Sequence, residues 1–267
     1  MGNMGMKKHL YPLLIIGFVL FSLAPMFYEL SHKGAIRPDR SFELVHNFPT
    51  DYNFYLSRIR EGLEGRVTVV EKYTSEPHAG SLIHEMYLLM GSVGRFVRVP
   101  FHRAGDIYHV ARVVLAIVLL GLVAAFCRQT FAGLRPRIGF TVSLLAFLFA
   151  ITASSWPKLV EVQGIWRFGG YMAWWSVMDS LQRITFLPHI LAGQALIVLL
   201  ILVLTSLPVM TKGPQLLMLG VSAFVLGMVF PPGLLFVYVV MGVRVALAGK
   251  RFRVWLMPYS IVVMISA

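Results

Sequence analysis

Hydrophobic residues occur in long uninterrupted blocks along this chain, not at the one-face spacing of a soluble helix. Residues 10–28, 138–157, 184–211 and 213–243 contain no Asp, Glu, Lys or Arg. A membrane-spanning helix needs about 20 predominantly apolar residues. The pattern therefore predicts an all-α fold, a polytopic bundle of transmembrane helices. The predicted spans are 10–29, 107–127, 138–155, 188–210, 215–230 and 232–249.

The apolar segments at the two ends of the chain differ from the other predicted spans. The last apolar run, Val254 to Ala267, is too short to span a membrane, so we expect this chain to be the N-terminal part of a longer protein. The first span follows Lys7 and Lys8, as a secretory signal would. Its uncharged stretch is longer than the hydrophobic core of a signal peptide, which usually has about 7–15 residues. Pro25 directly follows the small-residue cleavage site and should hinder cleavage there. We therefore expect an uncleaved anchor.

Composition supports a membrane protein. Apolar residues make up 57% of the chain and charged residues 13%, against about half and about a quarter in soluble proteins, which excludes a soluble globule. The single cysteine, Cys127, excludes an intrachain disulfide and a cysteine-based zinc site. The net charge of +12 indicates cytoplasmic anchoring and contact with anionic membrane lipid, and we expect no nucleic-acid partner.

The short loops between the spans set the orientation. With the N-terminus in the cytoplasm, the basic short loops lie inside, whereas the opposite orientation leaves the uncharged turn 230–233 inside. All 12 acidic residues then lie outside. We expect an integral protein of a bacterial inner membrane whose external loops are 30–106 and 156–187.

The long first external loop is predicted to carry two interfacial amphipathic helices. The first covers Asp51 to Leu63, is capped by Thr50 or Asp51, and ends at Gly62 and Gly65. The second covers Leu82 to Val97. Both are expected to lie in the headgroup region. The apolar face of the first helix consists of Phe54, Tyr55, Ile59 and Leu63, and Arg58 and Arg60 are expected to point away from it.

Candidate chemistry concentrates in the same loop. Asp51, Glu76 and His78 are the catalytic candidates, since a carboxylate with an imidazole can transfer protons or hold a divalent ion. Asp51 by itself can equally be a simple helix cap. The candidates for substrate binding in this loop are Arg58, Arg60 and His84. Arginine suits a phosphate because its planar guanidinium donates two hydrogen bonds at once.

Further candidates lie beyond this loop. Four of the five tryptophans fall in 156–187, where they form either an aromatic belt at the membrane surface or a sugar-binding surface that includes Trp174. His189 follows the helix-starting Pro188 and is either a ligand-facing or an interfacial histidine. His109 and Arg112 either face a polar cavity or reach to the interface.

An N-terminal anchor and a long external loop with an early Asp resemble the polytopic GT-C glycosyltransferases, a group that includes protein mannosyltransferases, oligosaccharyltransferase catalytic subunits and bacterial lipid A sugar transferases. The similarity extends over residues 7–210. It is carried by Asp51–Ser57 and by Thr74–His78, a turn that leads into Tyr87–Gly91.

The resemblance implies an inverting transfer of a sugar from a polyprenyl-phosphate donor at the external face. It implies that Asp51 is the base or a metal ligand, with Mg²⁺ or Mn²⁺ as the divalent cation. The next external loop offers Glu161 and Asp179 without an Asp-x-Asp arrangement, so metal dependence stays open, with Asp51 and Asp179 as the ligand candidates.

Two other classes of function remain as alternatives. A transporter or flippase-type protein is favoured by the Pro-Pro-Gly break at 231–233, since transporters use discontinuous helices, whereas the long uncharged spans disfavour it. A structural or assembly factor would use the aromatic loop to bind a partner.

Overall fold

The computed structural model describes residues 3–35, 39–46, 48–71, 74–77, 79–82, 84–153, 158–169, 183–206, 213–249 and 252–266. They are mainly helical, as the sequence predicts. The helices within these ranges are α1 (Asn3–Ser22), α2 (Ala24–Ser31), α3 (Pro49–Glu64), α4 (Glu85–Phe96), α5 (Ala104–Thr130), α6 (Pro136–Thr152), α7 (Pro188–Ser206), α8 (Gly213–Val229), α9 (Pro231–Leu247) and α10 (Phe252–Ser266).

Proline determines where several helices begin. Pro49, Pro136, Pro188 and Pro231 are the first residues of α3, α6, α7 and α9. The first helical position tolerates proline because its N–H has no partner within the helix and its φ is already helical. Five of the six apolar blocks predicted as spans each form one helix, α5 to α9, that begins within three residues of the expected start.

The first predicted span is divided in two. α1 and α2 meet at Leu23 with a bend of 46°, because Pro25 in the first turn of α2 cannot donate a backbone hydrogen bond to α1. Within the described residues, one helical segment, Phe101–Thr130, is long and apolar enough to cross a membrane alone, and the α1–α2 pair meets the same criterion if taken together. The remaining apolar helices are shorter, so the polytopic arrangement stays a prediction.

The segment 156–187, which was predicted to be external, contains an antiparallel hairpin that the sequence does not predict. Strand β1 (Lys158–Val162) pairs with β2 (Ile165–Gly169), with Val162 opposite Ile165. The two turn residues, Gln163 and Gly164, have φ of 55° and 77°. Positive φ at both positions is typical of the tight turn whose twist matches that of paired strands.

The chain divides into two compact units, and the first comprises residues 1–44 and 112–187. Its core is anchored by Tyr11 of α1, whose hydroxyl lies 2.8 Å from the hydroxyl oxygen of Ser143 on α6. The Tyr11 ring meets Phe140 and Phe147 of α6 edge to face. Such edge contacts add to the burial of the rings, so α1 and α6 form one packed pair.

The second unit comprises residues 45–111 and 188–267, and its first part is the α3–α4 pair. Tyr55 stacks on Tyr87 and Leu63 approaches Gly94, so the two helices run in the same direction. They touch where Gly62 meets Gly91, and a Cβ added at Gly91 would lie 2.0 Å from the carbonyl oxygen of Ile59. Gly62 was predicted to end α3, but it lies inside the helix as a packing contact, and Gly65, with φ of 89°, forms the C-cap.

The second part of this unit is a bundle of α7, α8, α9 and α10. Gly193 of α7 meets Phe230 beyond the end of α8, and Tyr238 of α9 hydrogen-bonds Ser266 of α10. Its core is leucine-rich and is formed by Leu200, Leu204, Leu216, Leu219, Ala223, Leu226, Leu234, Val237, Met241 and Val262. Burial of these side chains is the main force that holds the bundle together.

Candidate functional site

Asp51 lies in the first turn of α3, with an exposed side chain. The N-cap is Phe48, which is extended and precedes Pro49, so the prediction that Thr50 or Asp51 caps the helix is wrong. Proline at the first position and an extended residue before it fix this start. A carboxylate in the first turn is stabilised by the helix dipole, and it stays open to a ligand.

Next to Asp51, the second unit assembles a group of four tyrosines and four histidines, which we call the Tyr–His cluster. Its members come from five segments of the chain: the residues before α3, α3, the start of α4, the first turns of α5 and the start of α7. Two of the predicted site residues belong to it. The members are His46, Tyr52, Tyr55, His84, Tyr87, Tyr108, His109 and His189.

Three hydrogen bonds join tyrosine hydroxyls to imidazoles in this cluster. The Tyr87 hydroxyl lies 2.7 Å from His189 Nδ1, and the Tyr108 hydroxyl lies 3.0 Å from His46 Nδ1. Tyr52 and His109 Nε2 are 3.4 Å apart. Buried polar groups need such partners, because an unpaired one loses its hydration without compensation.

The rings also stack. Tyr55 and Tyr87 are nearly parallel, with centroids 4.4 Å apart, and Tyr108 lies parallel to both at 6.4 Å. Tyr52 meets Tyr108 edge to face at 5.1 Å. Since Tyr87 and Tyr108 are fully buried, this stack is a rigid floor rather than a mobile surface.

Burial controls the protonation of the tyrosines. Burial and, less strongly, the charge of Asp51 raise the pKa of Tyr55 to about 12. Burial also raises the pKa of Tyr87 well above its usual value, and the charges of Tyr108, Tyr55 and Asp51 act in the same direction. Both hydroxyls therefore stay protonated near neutral pH and act as neutral hydrogen-bonding groups.

His84 occupies a strained position. Its backbone has φ of 63°, in the left-handed region, directly before α4, and such a conformation in a non-glycine residue costs of order 1–3 kcal/mol. The ring meets Phe54 edge to face at 4.9 Å. Burial, and then the charge of Arg58, lower the pKa of His84, against the opposing charge of Glu71. The imidazole is therefore neutral near pH 7.

The predicted phosphate-binding role of Arg58 conflicts with its place in the structure. Its side chain is 1% exposed, and it donates hydrogen bonds to Glu61 (3.0 Å), to Glu71 (2.7 Å) and to the Val70 carbonyl (2.7 Å). The expectation that it points away from the packed face of α3 is wrong. A buried arginine requires paired carboxylates, and here it ties α3 to the loop that follows.

Arg60 is the other predicted phosphate ligand, and the structure places it away from Asp51. Nine residues separate the two along α3, which is about 13.5 Å along the axis and half a turn around it. The Arg60 guanidinium lies 5.6 Å from the Phe101 ring centroid. Its Nε is buried and makes no hydrogen bond to the described part of the chain.

Of the remaining predicted site residues, Glu76 is the one that the structure describes. Glu76 is exposed, and its backbone N–H donates a hydrogen bond to the Thr74 hydroxyl. His78, Trp174 and Asp179 lie outside the described residues. Among the residues that are described, no three His, Cys, Asp or Glu side chains are placed to hold a metal ion, so the metal site stays a prediction.

Sequence reasoning missed five members of the cluster as site residues, His46, Tyr52, Tyr55, Tyr87 and Tyr108, and left His109 undecided between a cavity and the interface. Tyr52 and Tyr55 are three residues apart and therefore share a side of α3. This spacing could have indicated that both rings face the same site. The others are far apart in sequence and resemble ordinary interfacial aromatic residues. Only the packing of α3, α4, α5 and α7 shows that they belong together.

Comparisons of this chain with protein-family models, with curated proteins and with solved structures find no match. The chemistry of the site is therefore argued from its own geometry.

Proposed function

We propose that this chain is an integral membrane glycosyltransferase that moves a sugar from a polyprenyl-phosphate donor to an acceptor at the external membrane face. One observation carries the proposal. An exposed carboxylate, Asp51, lies within electrostatic reach of Tyr55 and Tyr87, in a cluster of neutral hydrogen-bonding groups and aromatic rings. This combination suits a sugar, because rings stack on its apolar face and polar groups bind its hydroxyls.

The reaction proposed is a single displacement with inversion. The Asp51 carboxylate takes the proton of the acceptor hydroxyl while the acceptor oxygen forms a bond to the anomeric carbon of the sugar. The bond between that carbon and the donor phosphate breaks, and its electron pair leaves with the polyprenyl phosphate. Asp51 suits the role of general base better than Tyr55 and Tyr87, because the raised pKa values of these tyrosines keep their hydroxyls protonated.

The neutral His84 is the proposed hydrogen-bond donor to the departing phosphate. It lies at the edge of the cluster, half-buried beside Phe54 and Tyr55. A prepositioned donor stabilises developing charge more than water does, because it does not have to reorient during the reaction. This assignment replaces Arg58, whose guanidinium is already bound to two carboxylates.

The proposed membrane location is supported by exposed apolar side chains along the helices. Monomeric soluble proteins rarely expose large contiguous apolar patches, whereas lipid-facing helices must do so. We place the N-terminus in the cytoplasm of a bacterial cell and the Tyr–His cluster outside. The exposed side chains include Leu13, Ile16, Val114, Val118, Phe149, Phe224, Leu235, Val239 and Leu247.

A transporter or flippase-type protein is the second candidate. It is favoured by the bend of 46° between α1 and α2 and by the single residue, Phe230, that separates α8 from α9. Broken helices of this kind form the substrate sites of many transporters. It would use the Tyr–His cluster to bind a substrate without transferring a sugar.

The test is sugar transfer by the full-length protein in proteoliposomes, with a panel of radiolabelled polyprenyl-phosphate sugars. Asp51→Asn should lower the rate about 100- to 10,000-fold, the usual cost of a lost general base. The matched control is Glu64→Gln, an exposed carboxylate at the other end of α3, which should stay near the wild-type rate. A fully active Asp51→Asn variant would remove Asp51 from the mechanism. Failure of folded wild-type protein to transfer from any donor, with movement of labelled lipid across the bilayer, would establish the transporter instead.

A further inference from the structure

The outer side of α4 presents an apolar stripe that no other described element covers. Leu89, Val93, Phe96 and Val97 are 56%, 64%, 88% and 62% exposed. At 100° per residue these four positions fall within about a 100° arc. We call this surface the α4 face. It is unusual because the most exposed residue, Phe96, is also among the most hydrophobic.

The opposite side of α4 is firmly held, so the α4 face cannot turn inward. Gly91 is in backbone contact with Ile59 of α3, and a Cβ at Gly94 would lie 2.3 Å from Cδ1 of Ile107 on α5. Contacts this close leave α4 one orientation. The stripe is therefore a fixed property of the second unit.

The α4 face also lies at the start of the helix best suited to cross a membrane. α4 ends at Phe96, and the apolar helical segment Phe101–Thr130 follows after four residues. The contact between Gly94 and Ile107 places α4 beside the first turns of that segment. If the segment spans a bilayer, its first turns lie at the headgroup level, and so does α4.

Positive charge lies at one end of the stripe. Residues 89–106 contain three arginines, Arg95, Arg98 and Arg103, against one acid, Asp106. Asp106 pairs with Arg103, and the Arg95 guanidinium lies against Gly65 at the end of α3, whereas Arg98, directly after Val97, is exposed. Exposed apolar residues next to an arginine are typical of surfaces that bind anionic lipid.

We propose that the α4 face is a binding surface for anionic membrane lipid. Phe96, Val93 and Val97 enter the boundary between headgroups and acyl chains, while Arg98 binds a lipid phosphate. This lipid contact would hold the α3–α4 pair, and with it the Tyr–His cluster, at a set height over the bilayer. The inference rests on the membrane placement proposed above but not on glycosyl transfer.

The experiment measures the depth of a spin label. The full chain in a Cys127→Ser background carries a nitroxide at Phe96→Cys and is placed in nanodiscs of phosphatidylcholine, with or without one quarter phosphatidylglycerol. Collision rates with oxygen, which concentrates in lipid, and with a water-soluble nickel chelate report the environment. Val118→Cys in α5 is the lipid reference, and Ser75→Cys in the exposed loop is the aqueous reference.

At position 96 the ratio of the collision rate with oxygen to that with the nickel chelate should be several-fold above the ratio at position 75. It should rise further when phosphatidylglycerol is present. Arg98→Gln should abolish that rise, and Arg66→Gln, which alters an exposed arginine already paired with Glu64, should leave it intact.

Two results would overturn the proposal. Nickel access at position 96 equal to that at position 75, with position 118 in lipid, would show that the face is in water. Protection of position 96 from both reagents would show that a protein covers it. If position 118 were also accessible to nickel, the membrane placement behind the proposed function would fail as well.

Discussion

The α3–α4 pair and the α7–α10 bundle are both helical parts of one unit, yet they are held together differently. The bundle packs leucine against leucine, with a core that includes Leu200, Leu219 and Leu226. The pair is joined by the contact of Gly62 with Gly91 and by the stacking of Tyr55 on Tyr87. Arg58 ties α3 to the loop that follows it, and hydrogen bonds of the Tyr–His cluster tie the pair to α5 and α7.

The difference shows where chemistry can be located. An apolar core is stabilised by burial alone and tolerates any arrangement that fills the space. A polar core requires that each donor and acceptor meet a partner, so it fixes the positions of its side chains. The α3–α4 pair thus provides the rigid, polar surroundings that a site needs, and the bundle provides a support.

Removal of the buried arginine should have the largest effect on stability. Arg58→Ala leaves Glu61, which is fully buried, without its cation, and breaking a buried pair typically costs about 3–5 kcal/mol. Chemical unfolding in mixed micelles measures the change. The control is Arg66→Ala, which breaks an exposed pair with Glu64 and should cost about 1 kcal/mol or less. Equal effects of the two variants would show that the Arg58 pair is not a structural link.

Truncation of a buried leucine in the bundle should lower the free energy of unfolding by nearly as much as the loss of Arg58. Leu219 is 1% exposed, so Leu219→Ala should lower the free energy of unfolding by about 2–5 kcal/mol through lost burial and a cavity. Leu217→Ala, at an exposed position of the same helix, should change it by about 0.5 kcal/mol or less. The same unfolding assay applies, and a larger effect at Leu217 would contradict the assigned core.

Replacement of a glycine by alanine should destabilise the α3–α4 pair more than the α7–α10 bundle. Gly91→Ala forces a Cβ against the Ile59 carbonyl of the backbone, and overpacking of this kind costs about 1–3 kcal/mol. In the bundle, the Cβ of Gly220→Ala would lie 2.5 Å from the end of the flexible Ile265 side chain, which can move aside, and 3.4 Å from Cγ2 of Ile261. We expect a clearly smaller loss there, and the reverse order would refute the close contact of α3 with α4.

The smallest effect is a pH dependence that arises from His84. Its pKa in the folded protein lies below the ordinary 6.5, so the unfolded chain binds more protons as the pH falls past that value. The free energy of unfolding should therefore decrease as the pH falls from about 7.5 to about 5.5. His84→Gln should flatten this slope in denaturant titrations, and an unchanged slope would assign the effect to another group. Glu85, whose pKa is raised by burial, acts in the opposite direction at lower pH.

The helices of the fold were largely predictable. The uncharged blocks and the prolines at their starts place α6, α7 and α9 within a few residues, because helix propensity, hydrophobicity and proline geometry are local properties. The break between α1 and α2 was less predictable, since hydropathy averages over the turn at Leu23. The hairpin at 158–169 was missed because its alternation is short and its turn, Gln163-Gly164, is not among the strongest hairpin signals.

The candidate site was predictable only in part. Asp51, His84 and His189 were identified from residue type and neighbourhood, and the structure places His84 and His189 together. Arg58 was predicted to bind a phosphate, whereas the structure pairs it with Glu61 and Glu71. A guanidinium has the same sequence signature whether it binds a phosphate or a carboxylate. His46 and Tyr108 are 62 residues apart, and no local pattern connects them.

The sequence by itself determined that this chain is helical and apolar, where the proline-initiated helices α6, α7 and α9 begin, and that its carboxylates concentrate in the segments between apolar blocks. These features depend on residue composition and on spacing within a turn or two. The tertiary structure alone decided that Arg58 is bound by Glu61 and Glu71, that Gly62 is a contact and not a terminus, and that eight tyrosines and histidines meet beside Asp51. Those outcomes depend on which faces of distant helices pack together, because a side chain's partner, burial and protonation are set by its neighbours in space.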